Sequence, residues 1–134
     1  MIHIKYKLDK SSQHGIGLFA REAIPKGTLI YSASPQLDVN LTQEQFNLLS
    51  EMEKEEVRWW GFFDEASSKW HVDFDVSRFI NHSYEATVTQ DSGHQDAYLV
   101  ATRDIMIGEE LTQNYLEFET EEDLLKRDIP PQKQ

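Results

Sequence analysis

The chain contains no cysteine. Disulfide staples and thiolate metal ligands are therefore excluded, and the composition fits a reducing compartment. No stretch approaches the roughly 20 apolar residues of a membrane span. The opening MIHIKYKLDK is charged and alternating, unlike a signal peptide, so a cytoplasmic protein is the expectation. Positive charge is scarce: 13 lysines and arginines stand against 24 acids, a formal net charge of −11. Such a field repels nucleic acid and attracts basic peptides and proteins, and it also keeps a protein soluble whatever its task. The five histidines, at positions 3, 14, 71, 82 and 94, show neither H-x3-H nor HExxH spacing, so no metal site is expected. There is no G-x-S-x-G of a serine hydrolase and no GxxxxGK phosphate loop. Gly15-Ile16-Gly17 lacks the third glycine and the following helix of a dinucleotide fingerprint.

What is present reads as mainly β with short helices. At 134 residues the chain suits one domain. Ile2, Ile4, Tyr6 and Leu8 alternate with polar residues, which predicts a half-buried strand over 2–8. Thr42 and Gln45 form a T-x-x-Q capping box at the head of a helix expected over about 42–60, with Gly61 as its stop. Trp70, Val72 and Phe74 alternate in a further strand. Residues 86–90 and 98–102 read as a hairpin with a polar tip. Thr120 caps a last helix over 121–128, with acids in its first turn and Lys126 and Arg127 at its end. One echo stands out: Ala20-x3-Ile24-x2-Gly27-x2-Ile30 recurs as Ala101-x3-Ile105-x2-Gly108-x2-Leu111. Each copy reads as strand, tight turn, strand, with glycine where the turn needs unusual dihedrals. Trp59, Trp60, Phe62 and Phe63 are either core or a dimer or substrate face.

Three short segments could carry chemistry, and each has an ordinary structural reading. Gly15-Ile16-Gly17 lets a ligand approach the backbone, or is a loop with two turn glycines. Asn81-His82-Ser83, in RFINHS, offers donors and acceptors to a polar ligand, or satisfies free backbone groups in a turn. Tyr115, in GEELTQNY, is a functional phenol or a rim aromatic.

In this order, GIGLFA, RFINHS and GEELTQNY resemble a SET domain, the fold of protein lysine methyltransferases, from about Gly15 to Phe118. The resemblance implies small curved β-sheets in a β-clip-like arrangement, with a C-terminal pseudo-knot that lays RFINHS beside LTQNY. It implies a SET domain over 1–118, whose insert carries the helix, and a C-terminal helix and tail over 119–134. It implies S-adenosyl-L-methionine as cofactor, held by Gly15, Ile16, Gly17, Asn81 and His82, with Arg78 bracing the motif. Tyr115 matches the family's catalytic tyrosine, and Phe118 is a candidate wall of the lysine channel. The implied activity is protein-lysine N-methyl transfer to a basic protein or lysine-rich peptide. The alternative is a SET fold that binds cofactor or protein without turnover. Where relatives often continue past NHS as C-x-P-N, this chain has Tyr84-Glu85-Ala86-Thr87, and Gln113 stands where many carry Phe or Tyr.

Overall fold

The computed structural model describes residues 1–133. In chain order the strands are β1 (Tyr6–Lys10), β2 (Ile16–Ala20), β3 (Leu29–Ser32) and β4 (Val39–Thr42). Helices α1 (Gln43–Asn47) and α2 (Glu51–Trp60) follow, then β5 (Phe62–Asp64) and β6 (Lys69–Val72). A 3-10 turn at Val76–Phe79 leads to β7 (Asn81–His82), β8 (Val88–Gln90), β9 (Tyr98–Ala101) and β10 (Glu110–Gln113). A second 3-10 turn, Tyr115–Glu117, and α3 (Glu121–Lys126) complete the chain. The fold is mainly β with short helices: a seven-stranded, curved and partly closed sheet, ordered β1-β2-β10-β8-β9-β3 with β7 also on β10. A separate three-stranded sheet, β4-β6-β5, carries the insert. No described helix is long and apolar enough to cross a membrane.

The sequence echo turns out to be two halves of one joint. Ile24 and Ile105 exchange backbone hydrogen bonds, 2.8 Å each way. Gly108 N–H donates to Ala20 O and Gly27 N–H to Ala101 O, both at 2.8 Å. Ala20 N–H donates to Glu109 O at 2.9 Å, and Ala101 N–H to Thr28 O at 3.0 Å. Each bond in one copy has its equivalent in the other, so the two turns meet about a local two-fold. Gly27 (φ +82°) and Gly108 (φ +90°) both lie in the left-handed region, and both alanines and both isoleucines are buried. The apolar residues that close each copy, Ile30 and Leu111, are wholly buried in the same core.

Two expectations are corrected. The helix expected over 42–60 is two helices. The Thr42–Gln45 capping box starts α1, but Ser50 and Glu53 form a second box that starts α2. A serine whose hydroxyl satisfies the next turn's N–H ends one helix and begins another. Phe46 in α1 is buried while Met52 in α2 is 79% exposed, so the two helices do not present one continuous apolar face. Gly61 does cap α2, though not through a left-handed φ: a Cβ there would lie 2.2 Å from His71 O, so the absent side chain lets α2 meet β6. The strand expected over 2–8 starts at Tyr6 and is exposed throughout, because β1 is an edge strand paired only with β2. Ile2 and Ile4 reach the core from the irregular segment before it. The hairpin and the last helix are where the sequence puts them, and Leu124, 1% exposed, anchors α3; burying one such side chain is worth roughly 1.5–3 kcal/mol.

The insert is tied to the core by a polar network. His71 Nε2 lies 2.8 Å from Asp73 Oδ1, and its Nδ1 lies 2.8 Å from Asn40 Oδ1. Tyr31, at the end of the large sheet, donates its O–H to Asp73 at 2.5 Å. The nearby Asp38 accepts from Ser34 N–H and Phe74 N–H. Burial lowers the His71 pKa, but the Asp73 hydrogen bond and the charges of Asp73, Asp38 and Asp64 outweigh it, so the pKa is raised. For Asp73 burial acts upward, but the His71 and Tyr31 hydrogen bonds and the His71 charge dominate and lower it. Potential ligating atoms of Asp38, His71 and Asp73 lie within 4.8 Å of one another, all engaged in this network; histidine spacing could not reveal the group because two of its members are aspartates.

Two predictions follow from these features. Gly27→Ala and Gly108→Ala meet open space but a left-handed φ, so each should lose about 1–2 kcal/mol in urea unfolding, and by equal amounts; clearly unequal losses would count against the two-fold joint. The raised His71 pKa contributes stability that is complete below its ordinary 6.5 and is lost as pH rises through the folded value. The lowered Asp73 pKa contributes stability present above 3.8 and lost as pH falls through its folded value. The urea midpoint should therefore decline as pH rises from 6.5 through the folded His71 value, and His71→Gln should flatten that decline.

Candidate functional site

Strand β10 positions the site. Its four residues bond to three strands. Glu110 and Leu111 pair antiparallel with Phe19 and Leu18 of β2. Thr112 and Gln113 pair parallel with Asn81 and His82 of β7, and Gln113 also pairs with Val88 of β8. RFINHS and GEELTQNY are thus neighbours in one sheet. Thr87, in the stretch that departs from C-x-P-N, contributes to this arrangement. Its hydroxyl accepts Thr112 N–H at 2.9 Å and donates to Glu110 O at 3.3 Å.

Asn81 is a strut. Its Nδ2 donates to His14 O (2.9 Å), Ile16 O (3.1 Å) and Glu110 Oε2 (3.1 Å). The side chain therefore fastens the Gly15-Ile16-Gly17 segment to the sheet. Glu110 completes the fastening by accepting the Ser11 hydroxyl at 2.7 Å. The two glycines have different reasons. Gly15 (φ +49°) takes a left-handed turn into open space, whereas a Cβ on Gly17 would sit 2.7 Å from Glu110 Oε2. Gly17's bareness is used by Glu110. Ile16 between them is 51% exposed. Ser11 and Glu110 were not singled out from sequence; Glu110 lies inside a quoted motif, but only the fold reveals its partner.

His82 joins this region to Tyr115. Its Nδ1 accepts the Tyr115 N–H at 3.1 Å, and burial lowers its pKa. The ring is therefore neutral, with its proton on Nε2, and that buried Nε2–H has no partner among the described residues. Ser83 N–H donates to Gln113 O. Backbone groups alternate sides along a strand, so the His82 N–H and C=O face the other, open edge of β7. The His82 ring packs edge-on against Tyr84 and Tyr115, with centroids 4.4 and 5.4 Å away. Tyr84 in turn donates its O–H to Pro130 O at 2.9 Å, drawing the C-terminal tail over the motif.

Tyr115 donates its own O–H to Ile80 O. Burial pushes its pKa well above the ordinary phenol value, with Arg127 opposing and Glu119, Asp73 and Glu110 adding to the rise. The phenol is a neutral hydroxyl at physiological pH. It lies in the wall of a cleft of about 820 Å³, together with Phe118, Phe62, Trp60 and the His71–Asp73 network. Phe118 packs 5.2 Å from Tyr115 and 4.8 Å from Phe62. Arg78 donates to Asp73 O and lies over the Trp60 ring. The candidate residues form two groups. Tyr115 and Phe118 line the cleft, while Gly15, Ile16, Gly17, Asn81 and His82 do not; the His82–Tyr115 hydrogen bond connects them. Trp59, Trp60, Phe62 and Phe63 lie outside the buried core, in cavity walls.

Arg127, the residue that caps the C-terminal helix, lines the cleft. Arg127 pairs with Glu119 at 2.6 Å and donates to Trp59 O and Gly61 O, both at 3.1 Å. Burial raises the Glu119 pKa against the opposing Arg127 charge and hydrogen bond.

The comparisons agree with this geometry. The model of the SET domain family matches residues 15–116. Among solved structures, a Plasmodium falciparum chain assigned by name to the histone methyltransferases is 18% identical, with a TM-score of 0.58. That match covers 85% of this chain and 95% of the other. A humanized mutant of the Chaetomium thermophilum Polycomb Repressive Complex 2 is 24% identical over 87% of this chain, with a TM-score of 0.64. Apo ctPRC2 with mutations in Ezh2 is 24% identical over 92%, with a TM-score of 0.67. In both Polycomb structures the match spans 16% of the other chain. No curated protein matches this sequence. Three motifs in one order, brought together on β10 and matched by one family over most of the length, place this chain in the SET-domain family.

Proposed function

We propose that the protein is an S-adenosyl-L-methionine-dependent protein-lysine N-methyltransferase acting on a basic protein or lysine-rich peptide. The observation that carries this reading is the His82–Tyr115 hydrogen bond. It joins a strand edge with free backbone groups to a buried phenol in an aromatic cleft. Family membership supplies the class of reaction, and the chain's own residues supply the reasons below.

Two features fit the cofactor: the orphaned, buried Nε2–H of His82 and the open edge of β7 beside the exposed Ile16. His82 and Asn81 would hold it through their backbone groups, with Asn81's side chain keeping the 14–16 backbone in place. When bound, S-adenosyl-L-methionine supplies a methyl group activated on a sulfonium. Tyr115, protonated and fixed to Ile80 O, cannot serve as a base at neutral pH. With cofactor and substrate bound, its oxygen lone pairs would orient the amine and accept weak C–H···O contacts from the activated methyl. The lysine must arrive neutral, which at pH 7 costs roughly 4–5 kcal/mol for a free side chain. A wall of Phe118, Phe62 and Tyr115 disfavours the charged amine and lowers that cost. The surplus of acids draws a basic chain toward the cleft. We read the parallel pairing of β7 and β8 with β10 as the trace of a threaded C-terminal segment, the pseudo-knot of the family. In this reading 119–134 closes the channel over a catalytic unit spanning 1–118.

Tyr115→Phe should lower methyl transfer from labelled cofactor to a lysine-rich peptide by about 100-fold, with cofactor affinity in calorimetric titration unchanged. Asn81→Ala should weaken cofactor binding about tenfold, the value of one lost buried hydrogen-bonding group. Failure of the intact protein to bind the cofactor, with or without the peptide, would refute the enzyme reading.

A further inference from the structure

Tyr84 stands between the polar motif and the C-terminal tail. Ser83 N–H donates to Gln113 O, and Ser83 Oγ accepts Glu85 N–H at 3.1 Å, so the turn that presents Tyr84 is pinned on both sides. Its ring meets His82 edge-on, with centroids 4.4 Å apart and planes at 87°. Tyr115 contacts the same imidazole at 5.4 Å. His82 is thus clamped by two phenols. The hydroxyl end of Tyr84 reaches 46 residues along the chain, to Pro130 O.

The tail is shaped to arrive there. Leu124, 1% exposed, anchors α3, and its carbonyl accepts Ile129 N–H at 2.9 Å. Asp128 makes the turn between them with φ +58°, a left-handed conformation that aspartate tolerates better than most residues. Pro130 fixes its own φ and holds Ile129 in extended backbone. Little conformational entropy is then left to lose when Pro130 O meets the Tyr84 hydroxyl.

The clamp protects one protonation state. His82 Nδ1 must be unprotonated to accept Tyr115 N–H. A proton there would set two N–H groups against each other and break the bond. The titratable groups that face the ring are the phenols of Tyr84 and Tyr115, and its pKa is lowered by burial alone, with no contribution from a charged group. Loosening the clamp admits water to the ring and favours the imidazolium.

We propose that Tyr84 is a positioning residue for His82 and that the C-terminal tail sets its grip: docking of Pro130 on the Tyr84 hydroxyl holds the imidazole as the neutral Nε2–H tautomer that bonds Tyr115. Release of the tail then uncouples Tyr115 from the strand that carries Asn81 and His82. The inference rests on the methyltransferase reading only for what this does to turnover; the coupling itself is a property of the free chain.

The test therefore needs neither cofactor nor substrate, and the two readings fail separately. The full chain, labelled with nitrogen-15, is titrated with acid, and the ring nitrogens of its five histidines are followed. In the unaltered chain His82 should appear as the Nε2–H tautomer and titrate below the ordinary 6.5. Tyr84→Phe keeps the ring and deletes only the hydroxyl. It should free the tail, read as faster motion of the Ile129, Gln132 and Lys133 amides in nitrogen-15 relaxation, and move the His82 midpoint up toward 6.5. Pro130→Gly loosens the tail from its own side, at an exposed position away from the core, and should move His82 the same way. His3, His14, His71 and His94 should keep their midpoints in both variants, which a general loosening of the fold would not allow. A tail freed by either variant with the His82 midpoint unmoved would overturn the proposal. So would an Nδ1–H tautomer in the unaltered chain, or a tail that stays ordered in Tyr84→Phe.

Discussion

Four residues, Glu110 to Gln113, are held by three other strands at once, and the rest of the molecule is arranged around that crowding. A strand in such a position has no free edge and little free side-chain space, so Leu111, Thr112 and Gln113 are buried. Its partners meet it in different directions, β2 antiparallel and β7 and β8 parallel. Parallel neighbours need a long connection between them, and the connection here carries the two polar motifs to the same place. Thr87 and Glu110 then satisfy the groups that the strands leave unpaired. The site is therefore a consequence of how β10 is bonded, rather than an ornament added to a finished fold.

Much of this was legible in the sequence, for local reasons. Capping boxes, turn glycines and the hairpin depend on neighbours within a few residues, and the resemblance of three ordered motifs brought in the long-range plan. What was illegible depended on contacts across the chain. Glu110 reads as one acid among many until Ser11, Gly17 and Asn81 gather round it. The echo of Ala20–Ile30 in Ala101–Leu111 was visible, but its meaning, two turns bonded to each other, needed both copies in space. The second capping box, Ser50 with Glu53, is just as local, and it divides the stretch that the Thr42–Gln45 box and Gly61 delimit. The aromatic run Trp59–Phe63 looked as much like core as like surface, since composition does not say which side of a ring meets solvent.

The insert and the C-terminal segment both contribute walls to the cleft. The β4-β6-β5 sheet contributes His71 and Phe62 to the cleft, Asp73 follows directly after β6, and Arg127, the residue that caps α3, joins them. Arg127 fastens α3 to the Trp59–Gly61 corner through two main-chain carbonyls.

The joint between the two echoing turns also bears on how the protein forms. Its halves lie roughly eighty residues apart, so closing it costs the chain entropy of a long loop before any bond in it is made. Neither half can satisfy its backbone alone, since each supplies the acceptors for the other's donors. Contacts of such sequence separation slow folding. During synthesis β3 and the second edge of β2 wait without partners until β9 and β10 have emerged, so both pass through a stage as exposed apolar edges. For this fold, the most vulnerable interval is the one just before its last strand arrives.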